Sequence, residues 1–249
     1  MDVKFNFDKK TAVITGASRG IGLAIANAFL ENNSSVINIS KSGYNPENAN
    51  PRYTFIQENL NNTNGIEKII NNFEKKSIKV DFWINNAGVY PQSSLMDTSE
   101  EEWDEILSTN LKSLFFSSKF IARHMKKNGG GVILNASSFA AKMPSINSGI
   151  YAASKSAILS LTKSMAAEWA QYGIRVNSYS PGLIYTDMTK KIIDENKNLT
   201  SSIALSRCGS LEEVANVVLF LCSDASSYIT GANIEINGGK FLVQNQGAL

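Results

Sequence analysis

Apolar residues along this chain fall into two alternating rhythms. Short apolar runs, several ending at glycine, asparagine or proline, read as seven strands: KTAVITGA, SVINIS, YTFIQEN, VDFWINNAG, GVILNASS, IRVNSYSPG and ANIEING. Between them, apolar positions recur at helical spacing. The predicted helices are GIGLAIANAFLEN, GIEKIINNFEKK, one long segment EEEWDEILSTNLKSLFFSSKFIARHM that stops at Gly129–Gly131, YAASKSAILSLTKSMAAEWAQYG with Gly173 as its C-terminal cap, and LEEVANVVLFLCSD. Strict alternation of strand and helix makes the strands parallel and covers both faces of the sheet with helices. No repeat or linker interrupts it, so the expectation is one α/β domain over residues 1–249, built on a doubly wound parallel sheet. Asparagine-rich patches within 45–64 read as loops.

Composition narrows the class without naming a chemistry. With 43% hydrophobic and 18% charged residues, the chain reads as soluble and globular. A net charge of +2 gives no footing for nucleic acid or an anionic membrane, and no run of about 18 apolar residues could span a bilayer. The N-terminal MDVKFNFDKK lacks the apolar centre of a secretion signal. Cys208 and Cys222 have no metal-like neighbours, so no metal is expected, and a reducing cytoplasm fits them. The single histidine, His124, stands near a helix C-terminus and reads as a surface cation. A triad hydrolase is disfavoured, because there is no G-x-S-x-G elbow and that histidine is badly placed.

Chemistry concentrates at two places. The first strand runs into TGASRGIG, with Gly16, Gly20 and Gly22. Such glycines allow a tight turn and let a pyrophosphate approach the next helix, whose free N–H groups and dipole favour an anion. The second place is YAASK. Tyr151 and Lys155 are four apart, hence on one helix face. A phenol with a pKa near ~10 is a poor acid at neutral pH, and an ammonium beside it lowers that pKa. Ser137 and Ser138 end the fifth strand, at the edge where open α/β sheets bind ligands. The set suits carbonyl reduction: Tyr151 gives a proton, Lys155 steadies the phenolate and a serine hydroxyl bonds the developing alkoxide. Asn110, in STNLK, is placed to hold a water behind Lys155.

In this order and spacing the chain resembles the classical short-chain dehydrogenase/reductase family from Thr15 to Gly239. The matching stretches are TGASRGIG (15–22), NNAG (85–88), Asn110, Ser138 followed by Tyr151 and Lys155, PGLIYT (181–186) and YITGANIEINGG (228–239). The resemblance implies a Rossmann-like fold, a nicotinamide dinucleotide and a catalytic set of Asn110, Ser138, Tyr151 and Lys155. It selects Ser138, thirteen residues before the tyrosine, and leaves Ser137 structural. It also implies the cofactor contacts. These are Gly16, Ser18, Arg19, Gly20, Ile21 and Gly22 in the turn, and Asn59 and Leu60 after the third strand. Asn85, Ala87 and Gly88 follow along the channel, Asn85 and Asn86 also bracing the central strand. Tyr151, Lys155, Pro181, Gly182, Ile184 and Thr186 complete the nicotinamide end.

Departures from the family pattern refine these expectations. Members that prefer NAD carry an acid at the end of the second strand, where this chain has Ser40-Lys41-Ser42. Together with Arg19, two cations and no acid favour a 2′-phosphate, hence NADP(H) over NAD(H). Asn59 stands where many members have aspartate, and the family's helix between the second and third strands shortens to a loop over Lys41–Pro51. The expected activity is NAD(P)(H)-dependent hydride transfer between the nicotinamide and a small-molecule ketone or secondary alcohol. The mostly apolar FAAKMPSIN (139–147), with Tyr90 and Tyr185, suits a nonpolar ketone. Reduction of a 3-oxoacyl group on an acyl carrier protein is the alternative. Gly129 and Tyr172 stand where such reductases would place basic charge, while Lys126, Lys127 and Lys142 remain. A cofactor-binding regulator without catalysis is the reading from another class, and the intact catalytic set argues against it. The long helix, with Trp103 and Phe115, and the YAASK helix, with Ile158 and Trp169, carry more apolar surface than one face needs. With the family resemblance, that surface predicts a homotetramer, or failing that a dimer.

Overall fold

The computed structural model describes residues 5–43, 50–187, 189–195 and 199–240; residues 44–49 of the predicted Lys41–Pro51 loop lie outside that range. Seven strands form one sheet: β1 (Thr11–Thr15), β2 (Ser35–Ser40), β3 (Tyr53–Gln57), β4 (Phe82–Asn85), β5 (Gly131–Ala136), β6 (Ile174–Pro181) and β7 (Asn233–Ile236). Every pairing is parallel, in the order β3-β2-β1-β4-β5-β6-β7. The helices are α1 (Gly20–Glu31), α2 (Thr63–Lys75), α3 (Glu100–Leu107), α4 (Ser113–Lys127), α5 (Gly149–Trp169), α6 (Lys190–Glu195) and α7 (Leu211–Cys222). The chain starts mid-sheet, winds outward to β3, then returns to lay β4 on the other side of β1. The winding reverses between β1 and β4, and a parallel sheet opens its ligand crevice at the carboxyl ends there.

Side-chain alternation builds two cores from each strand. Along β1, Ile14 joins the layer packed by Ile25 and Phe29 of α1 and Val214 and Val218 of α7. Its neighbour Val13 joins the opposite layer, with Ile70 of α2, Ile121 of α4 and Ile158 of α5. A strand covered on both faces reads as a continuous apolar run, which is why TAVIT and VILNA show no polar alternation.

The long predicted helix exists, with one irregularity. Between α3 and α4, Ser108–Lys112 form a single π-turn, and Ser113 N–H bonds the Ser108 carbonyl five residues back. Gly173 takes a left-handed φ of 71° beyond α5, the cap its position predicts. The six-residue α6 has no counterpart among the predicted helices. His124 is corrected: it is 1% exposed, turned inward between α4 and α2 rather than into solvent. Among the described residues no helix is long and apolar enough to cross a membrane.

Candidate active site

The π-turn sets the first of the expected catalytic positions. The extra residue in the turn brings Asn110 to the ends of β4 and β5, where it is 1% exposed. Asn110 Oδ1 accepts the Val89 N–H at 2.8 Å, and Nδ2 donates to the Val89 carbonyl at 3.0 Å and to Ser154 Oγ at 3.3 Å. The amide therefore grips the backbone that leaves β4. A Cβ placed on Gly88 would lie 3.2 Å from Asn110 Oδ1 and 3.5 Å from Lys155 Nζ, so these three residues meet at one point.

Helix α5 supplies the next two groups. Lys155 is buried, and its Nζ donates to the Ala136 carbonyl at the end of β5 at 2.9 Å. Burial lowers the Lys155 pKa to about 8. Its Nζ lies 5.7 Å from the centroid of the half-buried Tyr151 ring. Burial raises the Tyr151 pKa; the hydrogen bond of Ser138 lowers it in part, and Tyr90 adds to the rise. The expected lowering by Lys155 is thus not what the structure shows. Desolvation of the phenol is the largest cause of its shift, and Lys155 is not among the causes. Ser138 faces the phenol from the end of β5, where it also caps a short 3₁₀ turn by accepting the Ala140 N–H at 3.1 Å. Ser137 instead donates to the Lys155 carbonyl at 2.9 Å, the structural part foreseen for it.

The glycine turn forms the other half of the crevice. Gly16 has a φ of 69°, and a Cβ there would come within 3.0 Å of Ala87 Cα. At Gly22 a Cβ would lie 2.4 Å from the Gly16 carbonyl oxygen and 2.5 Å from Asn86 Nδ2. The turn is therefore closed down to backbone. Helix α1 starts after Arg19 with no side-chain cap and no acid in its first turn. Its leading N–H groups and dipole are available to an anion.

Several residues that hold this turn escaped the sequence reading or were named only as braces. Asn86 Nδ2 donates to the carbonyls of Thr15 and Gly16, and Asn86 Oδ1 accepts from Tyr179 Oη. Thr15 Oγ1 accepts the N–H groups of Asn86 and Ala87. Asn38, buried inside β2, accepts the Ala17 N–H at 3.0 Å. A lone asparagine in the apolar run SVINIS was the available signal, since a buried amide demands partners.

The remaining expected cofactor residues divide by what their side chains do. Ala87 and Gly88 border the crevice between the turn and the Asn110–Lys155 cluster. The Asn85 side chain is a brace: its amide donates to Ser118 Oγ and Asn135 Oδ1 and accepts from Trp83 Nε1 and Ser117 Oγ, so only its backbone can face a cofactor. Leu60 and Ile184 bury their side chains in the two cores, so only their backbone can face a cofactor. The Ser40 hydroxyl is engaged by Ser18 Oγ and the Ser42 carbonyl. Asn59 is exposed and accepts the Asn61 N–H. Gly182 donates to the Ile236 carbonyl and is packed against Asn237, while Thr186 pairs with Thr189 beyond Pro181 and the β6 end. Arg19 and Lys41 are exposed, and neither side chain has a partner among the described residues.

Comparison with known proteins agrees with this geometry. The family described as Enoyl-(Acyl carrier protein) reductase matches residues 16–240. The 3-oxoacyl-[acyl-carrier-protein] reductase of Chlamydia pneumoniae is 39% identical over 241 residues, covering 92% of this chain and 96% of that one. Among solved structures, the ligand-free aldohexose dehydrogenase of Thermoplasma acidophilum superimposes with a TM-score of 0.88 at 30% identity, over 96% of both chains. The structure of ElxO with NADP bound gives 0.86 at 29% identity, over 94% of this chain and 99% of that one. By the family match over most of its length and the identity to these reductases, the chain belongs to the short-chain dehydrogenase/reductase family, as an NAD(P)-dependent oxidoreductase of the 3-oxoacyl-carrier-protein-reductase-like kind.

Proposed function

We propose that the protein reduces a ketone on an apolar substrate, with NADPH as its preferred reductant and Tyr151 as general acid. The observation that carries this is the meeting of Asn110, Ser138, Tyr151 and Lys155 at the carboxyl ends of β4 and β5. The chain fits a dinucleotide, since the Gly16–Gly22 turn leaves room for backbone alone beside an uncapped helix start. When bound, the nicotinamide supplies the hydride. Tyr151 Oη then hands its proton to the carbonyl oxygen, and the Ser138 hydroxyl hydrogen-bonds that oxygen as charge develops. Lys155, anchored on the Ala136 carbonyl, keeps a positive charge near the phenolate left behind. Asn110 fixes the Val89 backbone and so the wall beside Lys155.

The NADPH preference rests on Arg19 and Lys41, both exposed and unpartnered among the described residues beside the β2 end. Glu58, whose N–H donates to the Ser40 carbonyl, turns its carboxylate to Asn59 N–H and Asn62 at the start of α2. The ElxO structure holding NADP is in keeping with this. An apolar substrate is supported by the loops flanking Tyr151. The Ser93 N–H bonds the Asn147 carbonyl, joining the two loops, and Leu95, Met96, Met143 and Ile146 stay exposed on them. The second reading, a 3-oxoacyl group on an acyl carrier protein, is favoured by the reductase relatives rather than by charge at the site: Lys126, in the last turn of α4, holds its Nζ 4.0 Å over the Tyr172 ring. Of the other two lysines, Lys127 pairs with Glu74 and Lys142 with Glu235.

A panel of ketones, secondary alcohols and 3-oxoacyl thioesters, followed through reduced-nicotinamide absorbance with NADPH and with NADH, tests both readings. NADPH is expected to bind about ten- to a hundred-fold tighter, the worth of charge-assisted bonds to a phosphate. Tyr151→Phe is expected to lose ~10²- to 10⁴-fold in turnover. Turnover by Tyr151→Phe within a few-fold of wild type, or equal binding of NADH, overturns the corresponding part.

A further inference from the structure

The Tyr151 phenol is bounded by three side chains, of which the chemistry above uses two. Ser138 and Lys155 act on the proton; the third neighbour is Tyr90. The Tyr90 and Tyr151 rings meet edge-to-face, with centroids 4.6 Å apart and planes at 69°. Tyr90 follows Val89, whose N–H and carbonyl are both held by Asn110, so it is carried on backbone pinned to the π-turn. Gln92 Nε2 donates to the Tyr90 hydroxyl at 3.1 Å. The ring is thus fixed at its backbone and at its tip. On the same flank a small cavity is lined by Pro91, Asn147, Ile150 and Tyr151, with Glu102 of α3 at its wall.

A tyrosine ring swings over a broad torsional range unless something packs it, and an edge-to-face aromatic neighbour provides a directional contact. We propose that Tyr90 is a positioning residue for proton transfer: its ring holds the Tyr151 phenol toward Ser138 and shields its flank from water. This rests on the reading of Tyr151 as general acid. The groups set against the phenol are Lys155 from α5, Ser138 from the end of β5 and Tyr90 from the segment after β4; Glu102 of α3 lines the cavity that Tyr151 borders.

The test uses Tyr90→Phe, Tyr90→Leu and Tyr90→Ala in the full chain, with folding checked by circular dichroism. Turnover, cofactor KM and the pH titration of Tyr151 are read in each. The titration is the ultraviolet phenolate signal of each protein minus that of the same protein carrying Tyr151→Phe, so it needs no turnover. Tyr90→Phe keeps the ring but loses the bond from Gln92 and the hydroxyl that adds to the Tyr151 rise, so it is expected to lose less turnover than Tyr90→Leu or Tyr90→Ala and to lower the Tyr151 pKa less than they do. Tyr90→Leu and Tyr90→Ala are expected to lose about ten- to a hundred-fold in kcat, the scale of a small misplacement of a reacting group, with cofactor KM unchanged. The Tyr151 pKa is expected to fall in both, because water relieves the burial that raises it. If Tyr90→Ala keeps wild-type turnover and titration while Tyr151→Phe is inactive, Tyr90 has no positioning role and the reductase reading stands. If the wild type reduces no carbonyl, with Tyr151→Phe no different from it, the reading of Tyr151 as general acid fails and the inference falls with it.

Discussion

Burial moves the two ionisable residues of the site in opposite directions. It raises the Tyr151 phenol further from neutrality and lowers the Lys155 ammonium to about 8. The alkaline limb of carbonyl reduction is therefore expected to follow Lys155, because it loses its proton first. Reduction is expected to decline as pH rises through about 8, while stability moves the other way. The folded pKa lies below the ordinary 10.5, so holding the buried charge costs stability at pH 8 and below. That cost is relieved as pH climbs from about 8 to 10.5. Melting curves of wild type and Lys155→Met across this range check the sign: the variant's advantage should shrink as pH rises. An advantage that grows would show that Lys155 is not held against its charge. The pair itself was legible in YAASK, since four-residue spacing fixes a helix face. The direction of the phenol's shift was not, because burial depends on Tyr90 and on loops that no local pattern places beside it.

At the scale of elements, the seven strands and the main helices followed from periodicity within a few residues, the short α6 excepted, while two features decided by tertiary contact did not. The π-turn at Ser108–Lys112 interrupts no apolar stripe, so the pattern shows one helix, yet it is what delivers Asn110 to the Val89 backbone. His124 is the second. Its place in the last turn of α4 suggested a surface cation, but that turn packs on α2 and the imidazole is enclosed with neither ring nitrogen in a hydrogen bond of good geometry. Glu74 Oε1 lies 3.9 Å from Nδ1 but is already paired with Lys127 at 2.9 Å. Burial, aided by Lys127, lowers the His124 pKa; Glu74 and the nearby Ile78 backbone oppose it. The unfolded chain then binds the proton more readily, so stability is full above the ordinary 6.5 and is lost as pH falls toward the folded value. His124→Leu removes an unpartnered buried polar group and is expected to stabilise by about 1–3 kcal/mol. Its melting-temperature advantage over wild type should widen as pH drops below 6.5. A constant gap would mean that the imidazole stays neutral through that range or finds a partner when charged.

At the scale of the molecule, the two cores use up the apolar faces of the sheet, and what they leave over points outward. Ile106, Leu114, Phe120 and Ile121 of the α3–α4 helix enter the interior, as do Ile158 and Met165 of α5. Trp103 and Phe115, on the same helix, remain 45% and 36% exposed. This division answers in part the excess of apolar residues read from the sequence: most of it is internal packing, and a smaller aromatic remainder is not. Fully burying such a side chain is worth roughly 1.5–3 kcal/mol, and these two still expose 45% and 36%, so covering them gains roughly half of that each and is a standing incentive for association. Pairing one helix with its own copy gives a self-complementary, two-fold contact, in which each aromatic counts twice. Light scattering on the purified protein at micromolar concentration is expected to give a tetramer, with a dimer as the lesser assembly. Trp103→Glu combined with Phe115→Glu should shift the mass downward, because a charge at each position would be buried without a partner. Both residues lie on the solvent side of the helix, so the monomer's fold should survive the change. A wild-type mass equal to one chain would refute the assembly; an unchanged mass in the double variant would move the contact to another face.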